Sequence, residues 1–150
     1  MVNYILSKSP NELFLIFERS VQFDFTIRRR KIMIKFYGYK RCSTSRKARK
    51  WMDDHQVNYE FQDLVEQPPK KEDLVKWMTK YQDRGLKYFF NTHGQDYRRE
   101  NLKEKVPTMT IEEAADMMSK NGKLIKRPLV VDDSNLTCGF KEDIFEQIWL

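Results

Sequence analysis

Between residues 33 and 55 the hydropathy period changes from two residues to about 3.6, with a single glycine at the change. Met33-Ile34-Lys35-Phe36-Tyr37 alternates as a strand does and ends at Gly38. Residues 43–55 then set Ala48, Trp51, Met52 and His55 on one helical stripe. A strand that feeds a helix so directly is the opening of a βαβ unit. Residues 58–64 supply the returning strand, with Tyr59, Phe61 and Asp63 on one face, and Gln67-Pro68-Pro69 stops it.

Beyond the prolines, residues 70–82 carry Leu74, Val75, Met78 and Tyr81 at helical spacing, and Pro69 suits a first helical turn. Residues 86–90 and 97–105 read as shorter helices on either side of an Asn91-Thr92-His93-Gly94 turn. Thr110 with Glu113 predicts a capping box for a helix through Lys120, which Asn121-Gly122 closes. Leu129-Val130-Val131 is a short β-branched strand, a turn at residues 133–135 leads to a second at residues 136–139, and residues 141–150 form a last amphipathic helix. The expected order is β-α-β, a helical insertion, then β-β-α, an α/β chain.

A chain of 150 residues has room for one such domain. Its net charge of +6 is unevenly placed: residues 1–32 hold Lys8, Arg19, Arg28, Arg29, Arg30 and Lys31 against Glu12, Glu18 and Asp24. Met33 is therefore read as the start of the domain, and residues 1–32 as an N-terminal extension, disordered or produced by an upstream start. The mild, mixed charge of the remainder argues against direct nucleic-acid binding. Two cysteines cannot build a disulfide scaffold, no Cys/His cluster has metal-site spacing, and the apolar run at residues 13–17 is too short for a membrane span. The expected compartment is the cytoplasm.

Cys42 falls where strand one meets helix one, so unpaired backbone N–H groups and the positive end of the helix dipole favour its thiolate. Lys40, Arg41, Arg46, Lys47, Arg49 and Lys50 surround it in sequence without an acid, and Ser43, Thr44 and Ser45 add hydroxyls. Such a setting lowers a thiol pKa and suits a nucleophile. Cys138, on the last strand, reads as a buried apolar residue or a resolving thiol, and Arg127-Pro128 precedes strand three, where an X–Pro bond can be cis.

These residues together resemble the thioredoxin-fold family that includes glutaredoxin-coupled arsenate reductase and the transcription regulator Spx. Cys42-Ser43-Thr44-Ser45-Arg46 resembles the reductase's C-x-T-S-R loop, and Glu66-Gln67-Pro68-Pro69 with Leu74 resembles the segment after strand two. Leu124-Ile125-Lys126-Arg127-Pro128-Leu129 resembles the L-I-x-R-P motif, and residues 87–92 resemble a less characterised arsenate-reductase-like branch. The resemblance covers residues 33–150 and implies a thioredoxin-like fold with a mixed four-stranded sheet. It implies Cys42 as nucleophile, Ser45 as support for the thiolate, Arg127 as the anion-binding residue before a cis Pro128, and Thr44 and Arg46 as further substrate contacts.

By the same resemblance the reaction passes through a mixed disulfide with a small thiol such as glutathione or bacillithiol, or with a glutaredoxin- or thioredoxin-type reductant, and needs no tightly bound cofactor. Two further arginines of the reductase are replaced by Asn91 and Gly139, which argues against specific arsenate reduction. Spx carries C-x-x-C where this chain has Cys42 and Ser45, yet residues 137–142 resemble the Spx strand end. Gly85 corresponds to the glycine that Spx presents to the C-terminal domain of the RNA polymerase α-subunit. A regulator that docks there through Gly85 and Arg127 is thus the alternative function.

Overall fold

A computed structural model describes residues 33–150, and the expected extension at residues 1–32 lies outside the described residues. Four strands, β1 (Ile34–Gly38), β2 (Tyr59–Asp63), β3 (Leu129–Val131) and β4 (Leu136–Cys138), form one mixed sheet in the order β2-β1-β3-β4. β1 runs parallel to β2 and antiparallel to β3, and β3 is antiparallel to β4. The parallel pair requires a crossover, and α1 (Ser43–Asp54) supplies it.

Strand alternation divides the interior into two layers. Phe36 and Val130 face one side, where they meet Ala48, Trp51 and Met52 of α1 and Phe145 and Trp149 of α6 (Glu142–Trp149). Tyr37, Leu129, Val131, Leu136 and Cys138 face the other side. That side is covered by Leu74 and Met78 of α2 (Lys71–Lys80) and by Ala114, Ala115 and Met118 of α5 (Ile111–Lys120). In chain order α3 (Gln95–Arg99) and α4 (Leu102–Lys105) come between these two helices. The capping box of α5 forms as the sequence predicts, Glu113 N–H donating to Thr110 Oγ1 at 3.2 Å and Thr110 N–H to the Glu113 carboxylate at 2.8 Å.

The insertion departs from expectation in three places, each for a local reason. Residues 86–90 are not a helix beyond a single 3-10 turn, Leu86–Tyr88, because Phe90 pairs as an isolated bridge with Ile125. Residues 97–105 are two short helices because Asn101 adopts a left-handed φ of 52°. Asn121 ends α5 in an extended conformation, and Gly122 serves close approach instead of a left-handed cap: a Cβ there would lie 1.6 Å from the Leu64 carbonyl oxygen. Among the described residues no helix is long and apolar enough to cross a membrane.

Candidate functional site

The loop between β1 and α1 is fixed to its neighbours by backbone groups. Cys42 N–H donates to Tyr39 O at 2.9 Å, Tyr39 N–H donates to Ser45 Oγ at 3.1 Å, and Arg46 N–H donates to Cys42 O at 3.1 Å. Asp63, buried at the end of β2, accepts from the N–H groups of Lys40, Val65 and Glu66 and so ties the loop to the returning strand. These bonds make Cys42 the N-cap of α1, with φ −86° and ψ 125°.

The half-buried Cys42 thiol makes no capping hydrogen bond of its own, but donors stand around it. Burial pushes its pKa up. The backbone N–H and hydroxyl of Ser45, the N–H of Thr44 and the charge of Arg127 together outweigh that and hold it below its ordinary value. The donors are thus local to the helix start. Of the bases flanking Cys42 in sequence, Lys40 pairs with Glu66 at 3.4 Å and Lys50 with Asp54 at 2.6 Å, both in solvent.

Arg127 comes just ahead of β3, whose first residue, Leu129, pairs with Tyr37 near the end of β1, and its peptide bond to Pro128 is cis. Its guanidinium carbon lies 5.0 Å from the centre of the Tyr39 ring, and its Nη1 is buried without a hydrogen-bond partner. The residue separates a cavity of about 600 Å³, which Cys42 and Thr44 line, from a smaller one of about 220 Å³ bounded by Tyr39, Gly94 and Asp96. A half-buried guanidinium with an unsatisfied donor is suited to an anionic ligand atom beside the sulfur.

Six of the residues singled out in the sequence, Cys42, Thr44, Asn91, Arg127, Cys138 and Gly139, line the larger cavity. Ser45 lies beneath it and acts through the sulfur and the loop. Arg46 is exposed on α1 and Pro128 is buried at the start of β3, both outside the lining. Gly85 belongs to a different groove of about 550 Å³, lined by Met78, Leu86, Tyr97 and Val106 among others. Cys138 is only 8% exposed, and burial pushes its thiol up to about 12 despite the nearby charges of Lys126 and Arg84. In this conformation it shares the cavity with Cys42 as a protonated, weakly reactive thiol.

Several lining residues escaped the sequence reading: Tyr88, His93, Lys126 and Lys141. The Phe90–Ile125 bridge brings the first two in, since Lys126 N–H donates to Phe89 O and Asn91 N–H to Leu124 O, each at 2.8 Å. Lys126 stood in plain view as the variable position of the L-I-x-R-P motif.

The ArsC family pattern matches residues 37–148, a span that includes the Cys42 loop, the insertion and the Arg127-Pro128 pair. The chain belongs to the ArsC family. It is 45% identical over 116 residues to the uncharacterised Bacillus subtilis protein YusI, covering 77% of this chain and 98% of that protein. It is 31% identical over 111 residues to the global transcriptional regulator Spx 1 of Lactococcus lactis, covering 74% and 84% respectively. The crystal structure of a possible arsenate reductase from Streptococcus mutans superimposes with a TM-score of 0.70 at 36% identity, covering 76% of this chain and 98% of that one. The thioredoxin-like α/β fold and the family resemblance read from the sequence both stand.

Proposed function

We propose that this ArsC family member is a cytoplasmic monothiol oxidoreductase in which Cys42 is the nucleophile. The observation that carries the reading is the Cys42 sulfur itself: half-buried at a helix start, held below its ordinary pKa by Ser45, Thr44 and Arg127, and open to a cavity of about 600 Å³. The Cys42 thiolate attacks one sulfur of a disulfide substrate, the new S–S bond forms as the old one breaks, and the departing sulfur leaves with the electron pair as a thiolate. A small thiol such as glutathione or bacillithiol, or a glutaredoxin- or thioredoxin-type protein, then attacks the mixed disulfide and returns Cys42 as thiolate. Arg127 stabilises the anionic sulfur. Asn91 and Gly139 on the cavity wall offer no guanidinium to an oxyanion, so specific arsenate reduction is not part of this reading.

Intact-mass measurement of the reduced protein after exposure to glutathione disulfide near pH 6 tests the reading, because an ordinary thiol is almost wholly protonated there, with a pKa of about 8.5. We expect the addition of one glutathionyl group, abolished in Cys42→Ser and retained in Cys138→Ala. Undiminished labelling of a folded Cys42→Ser protein overturns it.

Docking on the RNA polymerase α-subunit is the second reading, favoured by one feature. Gly85 is exposed at φ +76° with no atom within 4 Å of where a Cβ would stand, so its backbone is bare to a partner. Slow, unselective labelling of Cys42 in the same measurement would move the balance to that role.

A further inference from the structure

The cavity in front of Cys42 is of one sign. Lys126, Arg127, Lys141 and His93 line it, and among the described residues neither aspartate nor glutamate does. Nor do Lys126, Arg127 and Lys141 pair with a carboxylate elsewhere among the described residues. With Arg127 acting on the Cys42 sulfur and on the Asp96 carboxylate, Lys126 and Lys141 are the two permanent cations around the opening whose charge is left available to a ligand.

Lys126 is placed there by a missing side chain. Gly139 ends β4 at φ +82°, a backbone that side-chain-bearing residues rarely adopt, and a Cβ on it would lie 3.1 Å from Lys126 Cε and 3.8 Å from Nζ. The Lys126 chain therefore occupies the space beside residue 139. Its ammonium stands 5.7 Å from the centre of the Tyr88 ring, and that ring is anchored, since its hydroxyl oxygen accepts from Cys138 N–H and from Arg84 Nη1, both at 3.1 Å. Arg127 is committed to the sulfur, whereas Lys126 and Lys141 carry charge on other walls of the same cavity.

A small tetrahedral oxyanion would occupy little of about 600 Å³, a volume in the range of sites that hold molecules of tripeptide size. We propose that the low-molecular-weight disulfide attacked by Cys42 bears carboxylates away from its sulfurs, and that Lys126 is the residue that selects for them. This inference rests on the oxidoreductase reading and names its substrate class. In the step concerned, the Cys42 thiolate bonds to one sulfur of the disulfide, the S–S bond breaks, and the leaving thiolate departs with the electron pair while its carboxylates are held by the cavity cations.

Single-turnover rates of Cys42 adduct formation with three symmetric disulfides provide the test: anionic glutathione disulfide, neutral bis(2-hydroxyethyl) disulfide and cationic cystamine. For each probe the rate with Lys126→Gln is divided by that of the unaltered protein, which cancels the probe's own reactivity. We expect the glutathione disulfide ratio to fall about 3- to 10-fold below the bis(2-hydroxyethyl) disulfide ratio, as for loss of one partly exposed charge contact, and the cystamine ratio to rise above it. Lys126→Arg should keep the preference, and added salt should weaken it in the unaltered protein. Equal ratios for all three probes would mean that Lys126 only packs against Tyr88, and would overturn the proposal while leaving the oxidoreductase reading intact. No adduct with any probe would overturn both.

Discussion

A thiol at the start of a helix is subject to opposed effects, and at Cys42 the balance rests on neighbours two and three residues away and on one arginine from the segment ahead of β3. Burial alone would push the thiol pKa up; the N–H groups of Ser45 and Thr44, the Ser45 hydroxyl and Arg127 outweigh it and hold the pKa below its ordinary value. Ser45 carries two duties, because its oxygen also accepts Tyr39 N–H and so holds the loop. Ser45→Ala should therefore slow alkylation of Cys42 by iodoacetamide roughly tenfold near pH 6, the worth of one charge-assisted hydrogen bond. The sign follows from titration: a raised pKa reduces the thiolate fraction below it and leaves the rate unchanged well above it. The pH–rate midpoint should thus move upward, and an unmoved midpoint would remove Ser45 from the site. The sequence made Cys42, Ser45 and Arg127 legible, together with the backbone N–H groups and hydroxyls at the helix start that lower the thiol pKa, whereas the basic run along residues 40–50, which it also credited, is spent partly on surface ion pairs. Tyr88 and His93 were not legible, because what brings them to the cavity is a bridge between Phe90 and Ile125 that no local pattern encodes, and Lys126, though visible in the L-I-x-R-P motif, carried no local sign that it lines the same cavity.

At the scale of elements, the strands and the longer helices were legible because each carries a clean period, and their observed bounds fall within two residues of the expected ones. The insertion was legible only in part. Short segments such as Leu86–Tyr88 and Gln95–Arg99 have too few turns for periodicity to act, and tertiary contacts set their form. Gly122 shows the difference most sharply. Its sequence context predicts a helix cap, whereas the structure uses it where the turn after α5 passes against the backbone at Leu64. That passage carries the chain from α5 to the segment that ends in Lys126 and Arg127, so it positions the site as well as the fold. Gly122→Ala must displace a carbonyl, not a flexible side chain, and should cost about 3 kcal/mol of stability, the upper end for overpacking. Urea unfolding gives the direct measure, with Gly94→Ala as the companion variant, whose nearest contact is the Asn91 amide. A midpoint within error of the parent protein would show that the α5 turn can shift away from Leu64 at little cost.

Across the whole molecule the two faces of the sheet differ in what they bury. The face under α1 and α6 is closed mostly by carbon, with Trp149 Nε1 donating to Thr137 Oγ1 at 3.2 Å and Trp51 Nε1 buried without a partner. The face under α2 and α5 instead buries three ionisable groups, the Tyr97 phenol, the Tyr37 phenol packed 5.7 Å from the Trp77 ring and the Cys138 thiol, of which the last two shift furthest. Burial, with Asp73 and Glu60 nearby, pushes Tyr37 from its ordinary 10.0 up to about 12, and burial pushes Cys138 from 9.0 up to about 12. Both groups are neutral when protonated, so the folded chain retains protons that the unfolded chain releases in alkali. Their contribution to stability is complete below the unfolded values and is lost as pH rises through the window from 9.0 to about 12. Each group steepens the fall by up to about 1.4 kcal/mol per pH unit within its own window. Cys138 acts first, because its unfolded value is the lower of the two. Urea midpoints measured across this range should therefore drop in two overlapping stages, with Cys138→Ala flattening the earlier part and Tyr37→Phe the later part. Equal slopes in both variants and the parent would mean that the layer under α2 and α5 opens to water before either group ionises, and that the two layers are not held with equal firmness.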